Sequence, residues 1–449
     1  MSLFALISNT KKNKRLFALA LPMILSNITV PLLGLVDTGV IGHLSNAYYL
    51  GGVALGSTMI SVILFLLGFL RMATTGLVAQ AFGANDKQSQ YQLLFQSASL
   101  ALVLGLLTVI FQSPIAQLSI YLSSPSNEVA QYCIEYFSIR VWSTPFALLN
   151  LALLGWLLGI QKPKAAMLQL ILANSINIIL DLLFVLGLGW GVKGVALASV
   201  LADISGFILA LTVVWHHLNK DKTFQIKALF HHLTISQYQA LLSLNRDIFL
   251  RSLCLQLVFT FITFHSASLG DNILAANAVL LNLVMLISYA LDGIAYYAEA
   301  EVGRAYGEKN QLLLQESVSL AWAWSAIVAI GFVFVFMFAG EFFISMLTNI
   351  ETVKAMAKQY LYWIVFFPLL AFSSYLFDGV YIGAAKGKIM RNSMLICTFM
   401  IFFPIWSLFG TEQNHALWAA LSAFMFSRSL TLGLHYHFKL KFFTNNINH

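Results

Sequence analysis

Charge is what this chain has least of. Asp, Glu, Lys and Arg make up 10% of its 449 residues, against about 25% in a soluble domain. A chain so poor in charge cannot clothe a water-facing surface, which excludes an ordinary soluble enzyme or binding module. Cysteine is nearly missing as well. Cys133, Cys254 and Cys397 are three, odd in number and far apart in apolar surroundings, which excludes a disulfide scaffold and reads as buried thiols. No His/Cys group has metal-ligand spacing, so no metal site is expected, and G-x-x-x-x-G-K-[ST] does not occur, so ATP is not handled here. Gly189-Trp190-Gly191-Val192-Lys193-Gly194 does fit G-x-G-x-x-G, but no strand precedes it, and it reads as a turn with close helix packing. The basic start runs into the first apolar segment without a small-residue cleavage site, so no cleavable signal is expected.

Apolar length is what the chain has in abundance. Hydrophobic residues are 59% of it and its mean hydropathy is +0.81. Twelve apolar stretches centre near Val30, Ile60, Leu102, Ala147, Ile176, Leu201, Phe259, Val284, Val328, Phe366, Thr398 and Ala423. Each supplies the roughly 20 residues a helix needs to cross a bilayer, and open strands in lipid would leave backbone groups unpaired. The expectation is an all-α membrane protein of twelve transmembrane helices. With the N-terminus cytoplasmic, the connections on that side and the two ends collect most of the Lys and Arg, among them Lys11, Lys12, Lys87, Lys162, Lys220, Lys309, Lys386 and Lys439. The outer connections hold only Lys193, Lys354 and Lys358, so both termini are expected inside. The net charge of +7 then reads as topology and contact with anionic lipid, not nucleic-acid binding.

The chain also repeats itself. Gln80-Ala81-Phe82-Gly83 returns as Arg304-Ala305-Tyr306-Gly307, a shift of 224 residues from 80 to 304. The same shift carries Gly155, Gly159 and Lys162 onto Gly379, Gly383 and Lys386. Helices 1–6 (residues 1–218) and 7–12 (residues 247–449) therefore form two lobes joined by a cytoplasmic linker, residues 219–246, within a polar stretch from His216 to Asn245. Six helices per copy make both lobes enter the membrane in the same direction, related by a pseudo-two-fold along the membrane normal, with a transport pathway between them. Glycine at the ends of helices 2, 4, 8 and 10 is expected to supply the positive φ that closes each helix. The paired histidines His216-His217 and His231-His232 are expected in the linker, solvated.

Ionisable groups inside a bilayer are costly, roughly 2.5–3.5 kcal/mol for Asp at a helix centre, so they are the first functional candidates. Asp37 lies in the outer half of helix 1. Asn174, Asn177 and Asp181 share one face of helix 5. A carboxylate and two amides on one stripe can bind a proton, a small cation or a water network, or can hydrogen-bond helix 5 to its neighbours. The shift of 224 maps Asp37 to Phe261, Asp181 to Ile405, Asn174 to Thr398 and Asn177 to Ile401. The cluster is thus missing from the second copy, which points to a specialised site in the first lobe. Asp203, one turn beyond Ser199 on helix 6, is a candidate to join that network. Pro22 and Pro31 each remove a hydrogen bond from helix 1 and predict bends there. The aromatics Phe259, Phe261, Phe264 and Tyr289 could line a pocket for flat organic cations. Asp378 reads as a structural hydrogen bonder, and Glu299 and Glu301 as ion-pair partners near Arg304.

Taken together these residues resemble the multidrug and toxic compound extrusion (MATE) transporters over nearly the whole chain. The resemblance rests on Pro22 placed 15 residues before Asp37, and on Val36-Asp37-Thr38 followed by Gly42-His43-Leu44. It rests further on Gln80-Ala81-Phe82-Gly83-Ala84, the Asn177/Asp181 pair and Gly191-Val192-Lys193-Gly194-Val195-Ala196-Leu197-Ala198-Ser199. Asp378-Gly379-Val380-Tyr381-Ile382-Gly383-Ala384 is similar to the branch named for the DNA-damage-inducible protein F. The resemblance implies a bacterial inner-membrane antiporter that exports organic cations or amphipathic compounds, working as a monomer. It implies Asp37 as the central proton-linked acid, Asn177 and Asp181 as its partners, Ser199 where relatives carry Thr, and Pro22 as the bend of helix 1. Asp378 does not fall where the sodium-coupled branch places its helix 10 acid, which favours protons, with sodium the alternative. A flippase for lipid-linked sugars predicts a cationic groove and further helices. A membrane enzyme predicts acids or His clustered at helix ends. A major-facilitator transporter predicts a basic motif between helices 2 and 3, where Phe82-Gly83-Ala84-Asn85-Asp86 stands.

Overall fold

A computed structural model of the chain describes residues 6–42, 47–221, 235–410 and 413–440, less the side chains at 31–32, 34–35, 37–39, 41–42, 47 and 235–237. Among the described residues the regular elements are all helices. The first, α1, is Thr10–Gly42. Eleven more are long and apolar enough to cross a membrane: α2 (Tyr48–Gly83), α3 (Lys87–Ile110), α4 (Asn127–Gly159), α5 (Pro163–Gly187), α6 (Gly191–Lys220), α7 (Ile235–Ser268), α8 (Asp271–Gly307), α9 (Gln311–Leu347), α10 (Glu351–Gly383), α11 (Gly387–Leu408) and α12 (Asn414–Phe438). Each of the twelve expected apolar stretches falls on one of these helices.

Four of them are interrupted. A turn at Leu67–Gly68 divides α2. In α4 a 3₁₀ turn, Val141–Ser143, precedes Pro145, whose missing N–H removes a bond of the α pattern. A π segment follows Asp181 in α5, Leu182–Gly187, and another, Cys397–Phe402, lies inside α11. Such π segments recur at functional sites.

The repeat holds to atomic detail. Asp86 caps α3 by accepting from the Ser89 amide at 3.0 Å, and Asn310 caps α9 by accepting from Leu313 at 3.0 Å. The Ser89 hydroxyl and amide hold the exposed Asp86 carboxyl below its usual range. The positive φ that ends these helices belongs to Asn85 and Lys309, and to Gln161 and Ala385, not to the neighbouring glycines. That corrects the sequence expectation; Gly159 and Gly383 serve helix contact instead, as do Gly155 and Gly379 one turn before them. A Cβ on Gly155 of α4 would lie 2.5 Å from the Arg71 carbonyl oxygen of α2, and one on Gly379 of α10 would lie 2.4 Å from that of Ala295 on α8. Small residues of this kind let membrane helices approach backbone to backbone. Gly155→Ala and Gly379→Ala are each expected to force the crossing helices apart, costing about 1–3 kcal/mol and lowering the melting temperature in detergent. Gly331→Ala on α9 is the control: nothing lies within 4 Å of its Cβ position.

The helices take up both ends of the stretch His216–Asn245 that was expected as linker, since α6 runs to Lys220 and α7 begins at Ile235. His217 is not solvated as expected. It is half-buried, lies edge-on to Trp156 at 5.6 Å and bonds Lys162 Nζ at 2.6 Å. His231 and His232 lie outside the described residues.

Two compact units emerge, Leu25–Leu242 and Ser243–His449 with Met1–Ile24. The division thus falls inside α1, two residues after the buried Pro22, and inside α7. In the C-terminal unit the start of α1 is fixed by charge. Arg15 bonds Glu301 of α8 at 2.7 Å, Glu301 being 1% exposed, and Lys12 bonds Glu316 of α9 at 2.7 Å. Asn13 accepts from the Trp324 indole at 3.0 Å. Glu301 also faces Arg304 at 3.6 Å, the ion pair its position suggested. The core of this unit contains Leu280, Ile287, Phe336, Ile364, Phe367 and Phe424, each buried. In the N-terminal unit, Val36 and Val40 of α1 pack with Val53, Tyr136, Val185 and Val195.

Candidate functional site in the N-terminal unit

Helix α5 arranges its polar residues by simple register. Gln169, Asn177 and Asp181 stand four or eight residues apart, so they share a face, and all are buried at 2%, 3% and 0% exposure. Asn174 lies beside that face. Its side-chain amide donates to Thr29 Oγ1 of α1 at 2.5 Å. Asn177 donates to Ser199 Oγ of α6 at 3.2 Å. Gln169 donates to Asn150 Oδ1 of α4 at 2.8 Å, and Asn150 donates to the Asp203 carbonyl at 2.9 Å. Asp181 is the last α-helical residue before the π segment.

Asn174, Asn177 and Ser199 line a cavity of about 180 Å³. Leu33 of α1, Ser57 and Ser61 of α2, Tyr136 and Arg140 of α4, Asn174 and Asn177 of α5, and Ser199 and Asp203 of α6 form its walls. Asp37 stands four residues after Leu33 on α1; its side chain lies outside the described residues, as does that of Pro31. Asp203 does line the cavity with Asn174, Asn177 and Ser199. Its carboxylate, however, accepts from Arg140 Nη1 at 2.5 Å and from the Ser143 hydroxyl at 2.9 Å.

The second copy fills the corresponding place with rings. Phe261, the counterpart of Asp37, meets Trp406 edge-to-face at 4.8 Å and Phe403 at 5.1 Å, and stacks on His265 at 5.6 Å. Trp406 adjoins Ile405, the counterpart of Asp181. Thr398, the counterpart of Asn174, is fully buried in the π segment of α11. Phe259 and Tyr289 are half-buried on α7 and α8, and Phe264 is 70% exposed. Asp378 accepts from Arg251 of α7 and, at 2.6 Å, from Arg428 of α12.

Sequence reasoning passed over Thr29, Arg140, Ser143, Asn150 and Gln169. A signal existed for one of them: Gln169 lies eight residues, about two turns, before Asn177 on the same helix. Nothing in the sequence brings residue 140 to residue 203.

Multi-pass helices in two copies, with a polar, carboxylate-bearing cavity inside the first of them, are the anatomy of a membrane transporter. The MatE family model matches residues 22–183 and again 248–407, once per repeat. The chain belongs to that family. It is 43% identical to DNA damage-inducible protein F of Escherichia coli K12, over 94% of this chain and 92% of that one. It is 21% identical to the multidrug export protein MepA of Staphylococcus haemolyticus, over 91% and 90%. The structure of a MATE protein in the bent conformation superposes with a TM-score of 0.87 at 20% identity, covering 98% of this chain and 97% of that one. A transporter of the MOP superfamily from Pyrococcus furiosus gives 0.86 at 20%, covering 95% of each. The fold is that of a MATE transporter.

Proposed function

We propose that the chain is a secondary antiporter of the bacterial inner membrane, both termini cytoplasmic, exporting organic cations or amphipathic compounds in exchange for protons. The observation that carries this reading is the polar face of α5, where Asn174 and Asn177 line the cavity and the buried Asp181 stands one turn beyond Asn177, with Thr398, Ile401 and Ile405 at the corresponding positions of the other copy. Scaffold chemistry would serve both copies alike; a group that must exchange ions is needed only once. The family membership and the multidrug export protein among its relatives support the same conclusion.

The mechanism is competition for charge. An ionised carboxylate in the N-terminal lobe attracts a cationic cargo from the cytoplasmic side. A proton entering from outside neutralises it, the attraction vanishes and the cargo leaves. Asp37 and Asp181 are the carboxylates assigned to this exchange, with Asn174, Asn177 and Ser199 supplying the fixed hydrogen-bond frame. Pro22, buried in α1 close to the boundary after Ile24, is the joint at which helix 1 responds to that neutralisation. The test is export from proteoliposomes under an imposed pH gradient and, separately, a sodium gradient. The pH gradient alone is expected to drive export, and Asp37→Asn to abolish it. Export driven only by sodium, or wild-type rates in the mutant, would overturn the proposal.

A further inference from the structure

Three helices meet at the basic turn that follows α4. Trp156, buried in the last turn of α4, donates its indole N–H to the Gln90 carbonyl of α3 at 3.0 Å and lies edge-on to His217 of α6. Lys162, in the turn itself, donates to Nδ1 of that histidine at 2.6 Å. An ammonium has three donors and no acceptor, so this bond fixes the charge in place without neutralising it. Lys220 follows His217 by three residues on α6. Burial, together with the charge of Lys220, holds Lys162 below the usual lysine range.

The acid nearby is already engaged. Asp221, just past the end of α6, bonds Lys87 at 2.6 Å and accepts from the Tyr91 hydroxyl at 2.6 Å, both on α3. Among the described residues no carboxylate pairs with Lys162 or Lys220. Three lysines (87, 162 and 220) against one aspartate leave two positive charges unbalanced, and Lys164 adds another on the exposed first turn of α5. The same place borders lipid. α5 and α6 pack along each other. Leu168, one turn beyond Lys164 on α5, is 51% exposed, and His216 and Lys220 share an exposed face of α6. Trp215, also exposed, sets the level, since tryptophan gathers where head groups begin. The second copy departs from this pattern. Lys386, the counterpart of Lys162, is exposed, and His435 of α12 is bonded by the Tyr381 hydroxyl at 2.7 Å.

We propose that Lys162 and Lys220, with the Lys162 ammonium held by His217, form a head-group site for an anionic phospholipid in the seam between α5 and α6, its chains lying toward Leu168. Charge and setting choose this partner. A phosphodiester supplies the missing counter-charge, as head groups do in basic pockets between membrane helices. A zwitterionic lipid brings its own cation and supplies no net charge. A soluble phosphate leaves the apolar surface beside the lysines unused.

Binding needs no ion gradient, so the outcome is independent of proton coupling. The purified full chain, stripped of lipid in neutral detergent, is titrated with phosphatidylglycerol or phosphatidylcholine, and bound lipid is counted by native mass spectrometry. Wild type is expected to bind the first phosphatidylglycerol roughly tenfold more tightly than phosphatidylcholine, two lysines near a head group giving at least that preference. Equal affinities overturn the proposal, and this comparison needs no variant. Lys162→Gln/Lys220→Gln is expected to remove the preference while melting like wild type. Lys386→Gln/Lys388→Gln, which takes the same charge from exposed positions of the second copy, is expected to keep it. Equal losses in the two variants would make the effect one of overall charge and overturn the site. Inorganic phosphate is expected not to displace the lipid; displacement would make this a soluble-anion site and overturn the proposal as well.

Discussion

Asp181→Asn is expected to reduce proton-driven export to the rate of protein-free vesicles while leaving the folded protein intact. The side chain is fully buried, one turn past Asn177 and at the junction where α5 changes from α to π geometry. Asparagine preserves its shape and hydrogen-bonding capacity and removes only the ionisation. An antiporter needs a group that exists in two charge states during the cycle; an amide exists in one. If the residue merely tied α5 to its neighbours, asparagine would serve about as well and alanine would be the damaging change. Export under a pH gradient, read beside the melting temperature of each variant, separates the two. Normal export by Asp181→Asn would leave the carboxylate a packing group.

The largest loss of stability is expected at Asp378, far from that cavity in the sequence. Its Oδ2 accepts from both Arg251 and Arg428, and the two guanidiniums are 8% and 2% exposed. Asp378→Ala leaves two buried cations facing each other with no counter-charge. Removing one partner of a buried ion pair costs about 3–5 kcal/mol, and here two like charges remain. The expected result is a protein that is poorly recovered from membranes or melts well below wild type. Replacing all three together, Arg251→Met, Asp378→Leu and Arg428→Met, removes the desolvated charges and is expected to restore most of the loss. If Asp378→Ala melts like wild type, the triad does not hold α7, α10 and α12 together.

Both predictions concern residues whose types were conspicuous in the sequence but whose partners were not. A buried acid in an apolar stretch is visible from composition alone, because the bilayer makes it costly wherever it points. What it pairs with depends on which helices become neighbours. Asp203 shows this well. Spacing put it one turn from Ser199 and hence near the amide stripe, and it does line the same cavity. Its carboxylate nevertheless belongs to Arg140, 63 residues away. The glycines give a second case. Their positions in the repeat were legible, but their use was not. The left-handed turns fall on Asn85, Gln161, Lys309 and Ala385, and Gly159 and Gly383 serve helix crossings instead. Phe261 is a third: an aromatic conspicuous as a pocket candidate, whose ring packs against Trp406 and Phe403.

By itself the sequence determined the helical class, the twelve apolar stretches and the internal repeat. It also showed that Asp37, Asn174, Asn177 and Asp181 are not repeated at the corresponding positions of the second copy. These follow from properties each segment carries alone: enough apolar length to span lipid, a backbone that must satisfy its own hydrogen bonds, and a constant offset between copies. Only the tertiary structure decided that Asn174 reaches Thr29, that Asn177 reaches Ser199 and that an arginine sits in the wall of the cavity. It also decided that α1 contributes to two compact units. Those are contacts between segments far apart in the chain, and they are fixed by how helices pack. Periodicity within one helix says which face is polar and leaves open which neighbour that face will meet.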